Sequence, residues 1–178
     1  QGYLTLLVSF SRDEPILEVI QAVMSIPAPS RPLLCITGKK SKANANLLSF
    51  ESEYIRFLDY QPQSNFDSIL AHSTLLIDLT TREDCLVCGG YEALALGVPI
   101  LLSDTEVARQ TFGAGAIYAK NDSSSLRDAI LDFLHETGRE NGAWSESSFD
   151  KLRKEFLISW SLFCQRAFES IFDGRSGV

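Results

Sequence analysis

The 178-residue sequence predicts an α/β protein, an open parallel sheet of about six strands with helices on both faces and a long amphipathic helix at the end. Three observations predict it. Short apolar runs alternate with helix-like patterns along most of the chain. Most of those runs are apolar throughout and bounded by polar residues, the mark of strands buried on both faces. Beyond Thr137 the pattern changes to apolar residues at spacings of three and four.

The strand candidates are Tyr3–Phe10, Pro32–Thr37, Tyr54–Leu58, Thr74–Leu79, Val98–Leu102 and Ala116–Ala119. Helices fit between them. Pro15 suits the first position of a helix with Ile16, Ile20 and Val23 on one face. Pro62 opens another, with Phe66, Ile69 and Leu70 facing inward. Ser124 is a candidate cap for a third, which presents Leu126, Ile130, Phe133 and Leu134. "GRENGAWSESS" reads as a polar hinge. The helix after it carries Phe149, Leu152, Phe156, Trp160, Phe163, Ala167 and Ile171 on one stripe.

The expected organisation is therefore residues 3–137 as one Rossmann-like domain, 138–148 as a hinge and 149–172 as the terminal helix. Gln1-Gly2 reads as the remnant of an engineered protease site. In such sheets ligands lie at the carboxyl ends of the strands, near the switch point in strand order. The functional loops should then be Ser11–Glu14, Gly38–Lys42, Asp59–Gln61, Thr80–Gly90 and Ser103–Thr105.

Composition narrows the function classes. Hydrophobic residues make up 45% and charged residues 22%, as in an ordinary globular domain, and the net charge is −7. No Lys/Arg cluster beyond Lys39, Lys40 and Lys42 offers a nucleic-acid footprint. The longest apolar run, Tyr91–Leu102, is broken by Glu92, Gly97 and Pro99 and falls short of the ~20 residues of a membrane span. No secretory signal pattern is visible, and four unevenly spaced cysteines suggest a reducing compartment, so a cytoplasmic location is expected.

"TREDCLVCGGYEALALGVPILLSD", residues 81–104, concentrates the chemistry. Cys85 and Cys88 form a CxxC, but a structural zinc site needs two further ligands and the only histidines, His72 and His135, are isolated. The pair encloses Leu-Val in the fourth βα turn, unlike a thioredoxin site, and reads as ordinary cysteines. No metal ligand is therefore assigned. Gly89-Gly90 opens a helix whose bare N–H groups and dipole favour an anion. Glu92, in the first turn, can accept two hydrogen bonds from a cis-diol such as a ribose. Taken singly, Glu92 also reads as a helix-dipole stabiliser and Asp84 as a solvated loop residue.

At these residues the chain resembles the retaining glycosyltransferases of GT-B fold (group 1 type), in their C-terminal nucleotide-sugar-binding domain. Their pattern is Glu, seven residues, Glu, then Ala, small and apolar residues, Gly-Pro, a buried strand and often Ser-Asp. Here Asp84 is followed by "CLVCGGY" and by Glu92-Ala93-Leu94-Ala95-Leu96-Gly97-Val98-Pro99, then "ILLSD". "IRFLDYQPQSNFDSILAHSTLLIDLTTRED", "GAIYAKNDSSSLRDAI" and "ISWSLFCQRAFESIF" are similar to neighbouring segments of that domain, so nearly the whole chain is covered.

The resemblance implies a UDP- or GDP-linked sugar as donor, no further cofactor, and transfer to a glycan or lipid-linked acceptor in cell-surface polysaccharide synthesis. It implies catalytic-site roles for Asp84 on the donor sugar and Glu92 on the ribose. Backbone at Cys88, Gly89 and Gly90 would cradle the diphosphate, Arg12 would neutralise it, and Gly38 would lie near the base. The second cation of the first βα turn is missing from "SRDEP", which leaves Lys39 as a substitute, and Asp84 is one methylene shorter than the usual Glu. By the same resemblance the acceptor-binding N-terminal domain is expected to lie outside this chain, which alone is expected not to catalyse transfer. Membrane contact, where present, would come peripherally through that domain.

Three other readings compete. A receiver-like signalling domain would use Asp13, Asp59 and Lys120, but that family has five strands and a Lys-Pro pair. A dinucleotide-dependent oxidoreductase needs a glycine fingerprint after the first strand, and "SFSRDEP" has none. A sugar-nucleotide epimerase of the same fold is the nearest chemical rival.

Overall fold

The computed structural model describes residues 2–136 and 146–173. Six parallel strands form one sheet: β1 (Tyr3–Leu6), β2 (Leu33–Ile36), β3 (Ile55–Phe57), β4 (Leu75–Asp78), β5 (Ile100–Ser103) and β6 (Ile117–Ala119). Their order is β3-β2-β1-β4-β5-β6. This doubly wound order differs from the 2-1-3-4-5 order of receiver-type sheets, which sets the signalling reading aside. The helices are α1 (Ile16–Ser25), α2 (Ala45–Leu48), α3 (Gln63–Ala71), α4 (Gly89–Leu96), α5 (Glu106–Phe112), α6 (Ser123–Glu136) and α7 (Glu146–Asp173).

All six strand candidates form strands, each shorter than the apolar run that announced it. The first run was expected to reach Phe10. After Leu7, however, the N–H of Val8 turns to the Thr37 hydroxyl, and Phe10 adopts φ 64°. The chain leaves the ladder there to build a loop. Val98 and Pro99 precede β5, because proline has no N–H to give a ladder.

Alternating strand residues feed two cores. Leu4, Leu6, Leu75, Ile77 and Leu101 pack against Val19, Ile20 and Val23 of α1 and Leu126 and Ile130 of α6. Leu76, Ile100 and Leu102 pack on the other face, against Leu70 of α3, Leu94 of α4 and Phe112 of α5. This two-faced burial explains why most strands read as apolar runs without alternation.

Helix starts differ in detail from expectation. Pro15 and Pro62 stand just before α1 and α3, outside the first helical turn. Asp122, not Ser124, caps α6. Its carboxylate accepts the N–H and hydroxyl of Ser125 and the hydroxyl of Ser124, which hold its pKa down at about 2.

The terminal helix begins at Glu146, so residues 146–148 of the expected hinge are helical. The rest of that hinge, 138–145, lies outside the described residues, as does Gln1. Phe149 is buried and Arg153 donates to the Leu94 carbonyl at 2.9 Å, so this end of α7 packs on α4. Trp160 belongs to the apolar stripe that the sequence predicts for this helix, a place that suits a packing anchor. Instead it is exposed, between Phe156 and Phe163 in a stacked row. The side chains of Ala167 and Ile171 are outside the described residues. No helix among the described residues is long and apolar enough to cross a membrane.

Candidate functional site

A cleft of ≈ 610 Å³ opens over the carboxyl ends of β1 to β4. The strand order reverses between β1 and β4, and the two loops that diverge there leave the crevice between them. The β1–α1, β2, β3–α3 and β4–α4 connections all contribute to its lining, whereas Ser103–Thr105, the fifth loop the sequence predicts there, does not line it.

The β4–α4 side carries the most chemistry. Glu92 lines the cleft from the first turn of α4 and is half-buried. Burial pushes its carboxyl above the ordinary value, and Asp67 of α3 adds to the effect. Cys88 and Gly89 also line the cleft. Cys88 precedes α4 in a helical conformation and makes no side-chain cap.

Asp78, the last residue of β4, was not singled out in the sequence. Strand alternation puts it on the same face as Leu76, toward α4. Its Oδ2 accepts the N–H of Gly89 at 2.8 Å. Burial pushes its carboxyl up to about 7. The Gly89 hydrogen bond opposes that rise, and the charges of Glu92 and Glu14 reinforce it. The signal was present, since "TLLIDLTT" places a single acid in a strand that has no water on either face.

The two glycines have packing reasons as well. A Cβ on Gly89 would collide with Asp78 and with Leu7, and one on Gly90 would enter the Phe112 ring. Gly90 is buried and does not line the cleft.

Across the cleft, Glu14 folds back on its own loop. Its carboxylate accepts the N–H groups of Ser9 at 2.9 and 3.1 Å and of Ser11 at 3.0 Å, with the Ser9 hydroxyl at 2.7 Å. Asp13 receives the Thr80 hydroxyl at 3.0 Å and ties this loop to the end of β4. Thr80 in turn bonds the Ser103 hydroxyl and the Asn121 amide, so the loops after β1, β4, β5 and β6 are linked.

The β2 and β3 ends close the third side. Gly38 lines the cleft with φ 89°, and a Cβ there would strike the Val8 carbonyl. Asp59 has φ 55° and accepts the N–H groups of Lys40 at 2.9 Å and Tyr60 at 2.8 Å. Those two amides hold its carboxyl below the ordinary value. The Lys40 ammonium turns away to Glu51 at 2.6 Å.

The structure thus brings together Gly38, Cys88, Gly89 and Glu92. It does not bring in the charged residues expected around the diphosphate. Arg12 and Lys39 are exposed on the bordering loops and do not line the cleft. Asp84 is 84% exposed and sits 3.7 Å from Arg82, outside the cleft. The described lining contains Asp13, Glu14, Asp59, Asp78 and Glu92, and no lysine or arginine. Cys85 and Cys88 are free thiols, and among the described residues no group of three or more metal-ligating side chains converges.

Comparison with solved structures identifies the architecture. A sucrose-phosphate synthase from Thermosynechococcus elongatus superimposes with a TM-score of 0.71 at 15% identity, over 98% of this chain and 46% of that one. An alpha,alpha-trehalose-phosphate synthase (UDP-forming) from Burkholderia vietnamiensis gives 0.66 at 13% identity, over 98% and 44%. A putative UDP-N-acetylglucosamine 2-epimerase from Listeria monocytogenes gives 0.58 at 21% identity, over 85% and 39%. No protein-family model and no curated protein sequence matches. The chain has the fold of one half of a GT-B enzyme and spans less than half the length of these structures.

Proposed function

We propose that this chain is the donor-binding half of a glycosyltransferase that uses a UDP- or GDP-linked sugar. The observation that carries the reading is the position of Glu92, half-buried in the first turn of α4 and facing the switch-point cleft. A carboxylate there offers two acceptor oxygens to the vicinal hydroxyls of a ribose. The likeness to a UDP-forming trehalose-phosphate synthase across nearly the whole chain supports it.

In this reading the α4 dipole and the backbone at Cys88 and Gly89, which line the cleft, face the diphosphate, and Gly38 borders the base. Arg12 and Lys39 supply positive charge from the rim. Departure of the nucleotide diphosphate develops negative charge, which oriented N–H donors and a cation stabilise. The acceptor, a glycan or a lipid-linked glycan, belongs to a second domain, and the domain described here binds donor without completing transfer.

Titration with UDP, GDP and their sugars, followed by amide chemical shifts, tests the reading. Shifts are expected at Gly89–Glu92 and Gly38. Silence at those amides with every nucleotide overturns it.

A sugar-nucleotide epimerase is the second reading, favoured by the likeness to the 2-epimerase. The two differ in acceptor demand. In a chain extended by its second domain, an epimerase turns over UDP-N-acetylglucosamine alone, whereas a transferase needs an acceptor.

A further inference from the structure

The carboxyl of Asp78 stands directly beneath the amino end of α4, where the donor-domain reading puts the diphosphate. Oδ2 holds the Gly89 N–H, and Oδ1 has no hydrogen-bond partner among the described residues. Among the described residues, the charged groups that act on it are both acids: Glu92 from α4 and Glu14 from the β1–α1 loop. On β5 the register neighbour is apolar Leu102, and Leu7 follows β1. Among the described residues, no lysine or arginine lines the cleft to offset them.

Ionised, Asp78 cancels the positive end of the helix and adds a like charge against an incoming phosphate. Neutral, it leaves that end available and offers an O–H donor in place of a charge. We propose that Asp78 decides whether the cleft accepts an anionic ligand, so that a nucleotide diphosphate sugar binds together with one proton. The proposal rests on the donor-domain reading and adds a residue and a condition to it. Because burial and the two neighbouring acids place the Asp78 carboxyl at about 7, the transition falls within an accessible range.

UDP-glucose and GDP-mannose are suitable probes, since their diphosphates carry constant charge near neutrality. Calorimetric titration is performed at about pH 6 and about pH 8, in pairs of buffers with different ionisation enthalpies. The dissociation constant should rise about tenfold between the two values, with proton uptake measurable near pH 7. Asp78→Asn should bind equally at both, and about tenfold more tightly than the parent at pH 8. Where Asp78→Asn does not fold, Glu14→Gln removes one facing charge and should move the midpoint to lower pH.

Binding that is independent of pH and takes up no proton overturns the proposal and leaves the donor-domain reading intact. A midpoint unmoved in Glu14→Gln also overturns it. No binding by any of the proteins at either pH overturns both.

Discussion

The Oδ2 atom of Asp78 accepts the N–H of Gly89 at 2.8 Å, so the last residue of β4 caps the first residue of α4. Eleven positions separate the two in sequence. The contact fixes the amino end of α4 against the sheet, and with it the first-turn carboxylate of Glu92.

Gly89→Ala and Gly90→Ala should both destabilise the fold. The new methyl meets Asp78 and Leu7 in the first case and the buried Phe112 ring in the second. Overpacking of this kind costs about 1–3 kcal/mol. Urea unfolding checks it, and midpoints equal to the parent would contradict the tight approach.

Stability should fall as pH rises from about 4 toward about 7. Asp78 has its folded value raised from 3.8 to about 7, so the folded state holds a proton the unfolded chain releases in that window. The stabilisation is complete below the unfolded value and is lost as pH rises through the folded one. The span corresponds to at most roughly 4 kcal/mol. Asp78→Asn cannot titrate, so its stability relative to the parent should increase between pH 4 and pH 8, as read from denaturant midpoints.

Glu92→Ala should weaken nucleotide binding by about tenfold or more, because two hydrogen bonds to one carboxylate are lost. Asp84→Ala, which removes an exposed side chain outside the cleft, should change it by less than about twofold. Titration with UDP compares them. Equal losses would show that Glu92 does not hold the ribose.

Thiol labelling should separate the cysteines. Cys88 and Cys164 are exposed, whereas Cys35 is buried and its thiol is pushed up by that burial. Rapid alkylation is expected at the first two, and at Cys35 only after unfolding. Saturating nucleotide should slow Cys88 and leave Cys164 unchanged, as mass spectrometry of the labelled peptides would record.

Much of the fold was legible because it rests on local rules. Apolar runs such as "TLLID" and "PILLS" mark strands covered on both faces, and Gly89-Gly90 followed by Gly97 marks where α4 begins and ends. Glu92 was legible as a cleft-facing carboxylate for the same reason, since its place in the first turn follows from the helix start. Strand boundaries and the capping role of Asp122 were less legible, because hydrogen bonds from neighbouring loops select among adjacent polar residues.

Sequence alone therefore determined the alternation of strands and helices, the loops that surround the cleft and the carboxylate on α4. Tertiary structure decided the rest. Strand order put β1 beside β4 and so located the crevice. The pleat turned Asp78 onto α4, the same packing set Phe112 against Gly90, and the loop paths left Arg12, Lys39 and Asp84 outside the cleft. The physical reason is range. Periodicity and capping act over a few residues, whereas the charge that surrounds a ligand sums over loops from four strands that only the sheet brings together.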